Sequence, residues 1–173
     1  MCEQLKDVMQ SVLSRYDKWM YNSALTKFIY LMDIEAVRKF GKQITHIKWY
    51  RDNYGPFVWD VLNCAQEMPS IFEVHTEPGN KRRICLKNVE PVQDSGEIEI
   101  LLDEIVNKIP NPKTDFPGFK EYVYATPPMI LSRQNGLLDI VKAVFADQEV
   151  NEFSEALFNV PEWDKAFEYL AAN

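Results

Sequence analysis

SALTKFIYLMDIEAVRKFGKQITHIKWYRDNYGPF, residues 23–57, is the stretch that decides how the chain folds. Its first half has apolar residues at helical spacing, with Ser23 as the predicted N-cap residue and Gly41 as the stop. One face of this helix carries Leu25, Phe28, Ile29, Met32, Ala36 and Phe40. Because further apolar residues flank that face and leave only a narrow polar strip, we expect the helix to lie inside the domain.

Asp33 is a carboxylate at the apolar edge of this helix. Burial without a partner would be costly for a charged group. We therefore predict that Asp33 is buried, accepts hydrogen bonds from backbone amides or a hydroxyl near the turn at Tyr54, and ties the helix to that turn. Its replacement by alanine is then expected to cost ~1 to 3 kcal/mol of stability.

The rest of the chain is divided by the same periodicities and by turn residues. A short extended segment over 44–52 leads to the turn Tyr54-Gly55-Pro56, where Pro56 is expected in the first turn of the next helix. Two strands at 71–74 and 83–86 flank a Pro-Gly-Asn turn and form a hairpin. Further helices are predicted at 5–16, 56–67, 97–109, 116–124, 137–146 and 161–171, with a turn at 154–158.

These elements predict a mainly α protein with a small β-hairpin, in the α+β class. Residues 1–173 are expected to form a single compact helical domain, with a core at 1–109 and a C-terminal helical extension at 110–173. The content of hydrophobic residues, 46%, supports a folded chain. Three helices followed by a hairpin also form the outline of a winged helix.

Charge and cysteine content limit the function classes. The formal net charge of -7 repels phosphate backbones, so nucleic acid is not the expected partner. Cys2, Cys64 and Cys85 are odd in number and far apart, which is typical of reduced thiols in a cytosolic protein. The N-terminus has no signal-peptide pattern, and no apolar run reaches the ~18 to 20 residues of a membrane span. We expect a cytoplasmic protein that does not contact membranes.

No motif of an enzyme is present in the sequence. His46 and His75 have no Cys, Asp or Glu partner at a metal-ligand spacing. The chain also lacks a glycine-rich phosphate loop, a nucleophile elbow and a zinc-protease motif. We expect neither catalysis nor a metal or cofactor.

Two binding hypotheses remain. Trp49, Tyr50, Tyr54 and Trp59 lie within eleven residues, and a partly exposed aromatic cluster is typical of a protein interface. We predict that these four side chains bind a partner protein. The alternative is a winged-helix transcription regulator that binds DNA through the basic hairpin residues Lys81, Arg82 and Arg83, although its recognition helix at 57–67 has no Lys or Arg.

The segments LTKFIYLMD (25–33), FGKQIT (40–45), WYR (49–51) and YGPF (54–57) resemble, in this order, the Panacea or SocA-like antitoxin domain family. In that family a helix of the type LTKLLYLADWEALRRYGRPITG precedes an aromatic strand and a YGP turn. The segment YVYATPP at 122–128 is similar to another part of the family. Met32, Ile34 and Gln43-Ile44 depart from the usual residues, which indicates a divergent member.

The resemblance implies an α-rich domain with a small hairpin, encoded in toxin–antitoxin pairs and often in prophages. Such a domain neutralises a cognate toxin by direct binding, and some members also present the toxin to the ClpXP protease. The family signature, carried over by resemblance, consists of Lys27, Tyr30, Asp33, Tyr54, Gly55 and Pro56.

Overall fold

A computed structural model describes residues 2–91 and 95–158 of the protein. The helices in these residues are α1 (Cys2–Arg15), α2 (Asn22–Phe40), α3 (Asp60–Glu67), α4 (Ser95–Lys108), α5 (Phe116–Tyr124), α6 (Pro127–Leu131) and α7 (Ile140–Phe158). The strands are β1 (Trp19–Tyr21), β2 (Trp49–Asp52), β3 (Gly55–Phe57), β4 (Phe72–Glu77), β5 (Lys81–Leu86) and β6 (Leu137–Leu138). The predicted mainly α fold of the α+β class is confirmed, and the strands form two small antiparallel sheets.

Helix α2 is the centre of the domain. Every residue from Ala24 to Val37 is buried, and α1, α4, α5 and α7 all pack against it. The helix ends as predicted, because Gly41 adopts the left-handed conformation (φ 72°) and its amide donates to the carbonyl of Val37. The predicted Ser23 cap is wrong: the N-cap residue is Tyr21, which gives no side-chain hydrogen bond.

A first sheet has the strand order β1-β5-β4 and is antiparallel throughout. The predicted hairpin is confirmed, and its turn places Gly79 and Asn80 at positive φ. Residues 19–21, which lie between two predicted helices, pair with β5 as a strand. Helices α1, α2 and α3 pack on one another beside this sheet, so the winged-helix-like elements are present.

A second sheet has the order β3-β2-β6 and includes the Tyr54 turn. Gly55-Pro56-Phe57 is an edge strand, and the prediction that Pro56 opens a helix is wrong, since α3 begins only at Asp60. Pro56 lies opposite Arg51 on that edge strand, where a missing amide is tolerated. The third strand, β6, was not predicted because it has only two residues.

Residues after α4 complete the packing around α2. Helices α5 and α7 contact α2, and β6 pairs with β2. Helix α7 continues from 140 to 158, so its predicted end at 146 and the predicted turn at 154–158 are wrong; the segment contains neither Gly nor Pro. The predicted helix at 161–171 lies outside the described residues, and the division of the domain at residue 109 stays a prediction. No helix within the described ranges is long and apolar enough to cross a membrane.

Candidate functional site

The outer face of the second sheet exposes apolar side chains in neighbouring strands. Tyr50 in the central strand β2 is paired with Phe57 on one side and with Leu137 on the other. Tyr50 is 50% exposed and Leu137 56%, whereas Phe57 is half-buried. Trp59, 62% exposed, packs edge-to-face on Phe57 with ring centroids 5.0 Å apart. With the 80% exposed Tyr54, these five residues form what we call the aromatic surface.

Trp49 does not belong to this surface. Successive side chains of a strand point to opposite faces, so Trp49 lies inward where Tyr50 lies outward. Trp49 is only 1% exposed, and its ring packs edge-to-face on Tyr30 with centroids 5.4 Å apart. The expectation that Trp49 is an exposed partner-binding residue is therefore wrong, while Tyr50, Tyr54 and Trp59 are exposed as predicted.

The carboxylate of Asp33 has no exposed area and accepts four hydrogen bonds. The backbone amide (2.8 Å) and hydroxyl (2.6 Å) of Thr45, the indole of Trp49 (2.7 Å) and the amide of Gln43 (2.9 Å) donate them. Burial raises the pKa of Asp33, and the hydrogen bonds oppose that rise. The predicted burial is confirmed, but the donors lie at residues 43–49 and not at the Tyr54 turn.

Tyr30 joins α2 to the segment between α5 and α6. Its hydroxyl lies 3.0 Å from the hydroxyl of Thr126, which itself donates to the carbonyl of Val123 at 2.7 Å. Because Thr126 has a single proton to donate, Tyr30 is the donor in the first contact. Burial raises the pKa of Tyr30 well above its usual range, which keeps the hydroxyl protonated. Tyr30 and Asp33 thus hold two separate loops against α2.

Gly55 lies where the β2–β3 turn approaches α2 and α5. Its φ of 102° is a conformation that other residues rarely adopt. An added Cβ would lie 3.3 Å from the ring of Tyr124 and 3.4 Å from Cε of Lys27. A glycine at this position lets the turn lie directly on the Lys27 side chain.

Beside the aromatic surface lies a cleft of about 270 Å³, which we call the Lys27 cleft. It is lined by Asn22, Ser23, Thr26, Lys27, Asp52, Tyr54, Pro56 and Phe57. Lys27 is 6% exposed. Burial, with a smaller contribution from Lys120, lowers the pKa of Lys27 to about 8, and Asp52 opposes this effect. The cleft therefore contains a poorly solvated amine next to exposed aromatic rings.

The basic hairpin residues are partly engaged within the molecule. Arg83 forms an ion pair of 2.7 Å with Glu77 and lies over the ring of Trp19. Arg82 donates to the hydroxyl of Thr76, and Lys81 is exposed. An arginine held by a carboxylate is less available to a phosphate, so this hairpin is a poor nucleic-acid contact.

The residues described in the structure include no group of three or more His, Cys, Asp or Glu side chains that could hold a metal ion. His46 is exposed, and His75 is half-buried with its ring nitrogen 3.4 Å from Glu73. Cys64 is buried and Cys85 half-buried. None of these residues lines the Lys27 cleft.

Leu137 and Phe57 belong to the aromatic surface but are not indicated by the sequence pattern. Leu137 is 80 residues away from Phe57 along the chain, and no local signal indicates that the two-residue strand β6 pairs with β2. Phe57 falls within the helix that the sequence predicts from Pro56, whereas the structure places it in the edge strand β3. The alternation of Trp49 and Tyr50 was the available signal for separating the buried from the exposed aromatic.

A comparison with protein-family models matches residues 25–164 to the model described as Antitoxin SocA-like, Panacea domain. The match includes α2 from residue 25 onward, the second sheet, and the lining of the Lys27 cleft except Asn22 and Ser23. Searches of curated proteins and of solved structures found no match.

Proposed function

We propose, from the premise that this chain belongs to the Antitoxin SocA-like, Panacea domain family, that it is the antitoxin of a toxin–antitoxin pair. It neutralises a cognate toxin by direct binding and has no catalytic role. The contact is made by the aromatic surface, whose members are Tyr50, Tyr54, Phe57, Trp59 and Leu137.

The observation that carries the proposal is that the exposed Tyr50 and Leu137 and the half-buried Phe57 lie side by side on one sheet face. Large apolar side chains that remain exposed together mark interaction sites, and Tyr and Trp contribute most to binding hot spots. Their backbone is fixed by strand pairing on both sides of β2, so little ordering entropy is lost on binding.

Charge supports a basic partner. The net charge of -7 attracts a positively charged toxin over the range of the Debye length and raises the association rate more than the affinity. In this proposal the pair acts in the cytoplasm. Delivery of the toxin to ClpXP is a further step of the same proposal, and it predicts a shorter toxin half-life when antitoxin and protease are both present.

The test is rescue of growth when the chain is co-expressed with the product of the neighbouring gene. Tyr50→Ala and Trp59→Ala are expected to lose rescue, because each removes an exposed anchor without opening the core. Val89→Ala is the matched control, since Val89 is equally exposed (62%) but lies outside the aromatic surface. Rescue by all three variants would refute this surface, and a harmless neighbour would refute the antitoxin role.

A second candidate function, operator binding as a winged-helix regulator, is supported by the order of α1–α3 and the hairpin. It predicts steeply salt-dependent binding of operator DNA that drops when Lys81, Arg82 and Arg83 are changed to alanine. The pairing of Arg83 with Glu77 counts against it. Absence of any shifted duplex at low salt would exclude it.

A further inference from the structure

The side chain of Lys27 is buried where it lines the Lys27 cleft, and the acidic residue of that cleft, Asp52, does not form an ion pair with it. Among the residues that the structure describes, none forms a hydrogen bond or ion pair with Nζ of Lys27, although the residue is only 6% exposed. Buried charged groups are normally paired, because desolvation without compensation is costly. Stability therefore does not explain why a lysine without an ion pair occupies this position at the edge of an open cleft.

The N-terminus of α2 lies in the same cleft. Asn22, Ser23 and Thr26 line it from the first turns of a 19-residue helix whose N-cap residue, Tyr21, provides no side-chain acceptor. This first turn also contains no acidic residue. The amides of the first turn and the helix dipole favour a negative group at this end, and the hydroxyl of Ser23 adds a donor, whereas that of Thr26 donates to Asn22.

The β2–β3 turn holds the amine in position. Gly55 packs on the aliphatic stem of Lys27, and Tyr124 lies against the same backbone position. Polar groups that face Lys27 come from the other elements around it: Asp52 from β2 and Lys120 from α5. Asp52 supplies the carboxylate of the cleft lining, so the lining as a whole is not strongly charged.

We propose that the Lys27 cleft receives a carboxylate of the polypeptide bound on the aromatic surface, either an acidic side chain or a chain terminus. This inference rests on the proposed function, because Tyr54 and Phe57 belong to both the cleft and the aromatic surface. A cleft of about 270 Å³ has room for a side chain. A singly charged carboxylate suits one amine beside Asp52 better than a doubly charged phosphate, which Asp52 would repel more strongly.

The ligand chemistry can be tested on the chain alone. In protein labelled with ¹³C at the lysine Cε, the Lys27 signal is titrated with sodium acetate, sodium phosphate and sodium chloride at equal ionic strength. Acetate is expected to shift the signal and raise the pKa of Lys27, because a bound carboxylate stabilises the ammonium. If acetate and chloride shifted the Lys27 signal equally, the cleft would not be an anion site. If phosphate shifted it more than acetate, the proposal of a carboxylate ligand would be wrong.

The link to the partner is tested separately with Lys27→Met and the control Lys42→Met, which removes a charge from an exposed position. Lys27→Met is expected to weaken toxin binding by about 10- to 100-fold, and Lys42→Met by less than about twofold. Normal toxin binding by Lys27→Met would overturn the inference. If Tyr50→Ala still lost binding in that case, the proposed function would stand without the cleft.

Discussion

At the scale of single residues, three side chains of α2 that belong to one sequence motif divide into two structural residues and one proposed binding residue. Asp33 and Tyr30 are buried and fully hydrogen-bonded to the segments at 43–49 and 123–126. Lys27 is buried but forms no hydrogen bond or ion pair with the residues that the structure describes, although Asp52 lies in the same cleft. Asp33 and Tyr30 therefore stabilise the fold, whereas Lys27 costs stability and is suited to binding.

Lys27→Met should stabilise the isolated protein at pH 7. The folded pKa of about 8 lies below the value of 10.5 for an unperturbed lysine. Protonated Lys27 thus destabilises the fold by about 3 kcal/mol at pH 7, and the stability of the wild type should rise between pH 8 and 10.5, where only the unfolded chain keeps the proton. Urea unfolding of both proteins at pH 7 and pH 10 measures the difference in their free energies of unfolding, which should be smaller at pH 10.

The comparison between the two proteins cancels other groups that titrate in this range, including Tyr124, whose pKa burial raises. Lys42→Met, an exposed change, should show no such pH dependence. A loss of stability in Lys27→Met at pH 7 would show that the amine has a structural partner.

Asp33→Ala should destabilise the protein by at least ~2 kcal/mol, since the buried donors on Thr45 and Trp49 lose their acceptor together. The control is Asp103→Ala, which removes an exposed ion pair with Arg15 and should cost less than ~1 kcal/mol. Chemical denaturation followed by circular dichroism measures both. Equal stabilities for the two variants would contradict the role of Asp33.

At the scale of the elements, the β2–β3 hairpin connects the fold to the site. Its inner face places Trp49 against Tyr30 and Asp33, and its outer face presents Tyr50 beside Phe57 and Leu137. One strand therefore anchors the sheet with alternate residues and forms the aromatic surface with the others. The tight turn brings Gly55 onto α2 and closes one side of the Lys27 cleft.

Gly55→Ala should destabilise the protein by ~1 to 2 kcal/mol, because alanine is strained at a φ of 102° and its Cβ would press on Tyr124. Gly96→Ala is the matched control. Gly96 lies in α4 with nothing within 4 Å of an added Cβ, so alanine should stabilise this helix by ~0.5 to 1 kcal/mol. Thermal unfolding of both variants measures whether each substitution raises or lowers the stability. A stabilised Gly55→Ala variant would contradict the predicted strain.

At the scale of the whole molecule, two small sheets lie around one buried helix and have different surfaces. The first sheet carries the basic hairpin, where Arg83 is paired with Glu77. The second carries the aromatic surface and borders the Lys27 cleft. The protein has a net charge of -7. In the proposed function, electrostatic attraction therefore brings a basic partner to the molecule, and the aromatic surface gives the contact its specificity.

Association with a basic toxin should therefore slow by about tenfold or more between 20 mM and 500 mM salt, while the dissociation rate changes little. Stopped-flow mixing of the two purified proteins measures both rates. An association rate that does not depend on salt would exclude steering by net charge. The role of the aromatic surface would then be tested by the Tyr50→Ala variant alone.

Local sequence patterns determined α2 with its glycine stop, the hairpin turn at Gly79 and Asn80, the helix at 116–124 and the burial of Asp33. Each depends on neighbouring residues, through helical periodicity, turn propensity or the cost of an unpaired buried charge. Only the tertiary structure decided that β1 pairs with β5, that Leu137 lies beside Tyr50, and that the donors to Asp33 come from 43–49. The two strand pairings join distant parts of the chain through backbone hydrogen bonds, which almost any side chains allow, so the local sequence does not identify the partner strand. The donors to Asp33 are set by how the segment 43–49 folds back onto α2, which helical periodicity does not specify.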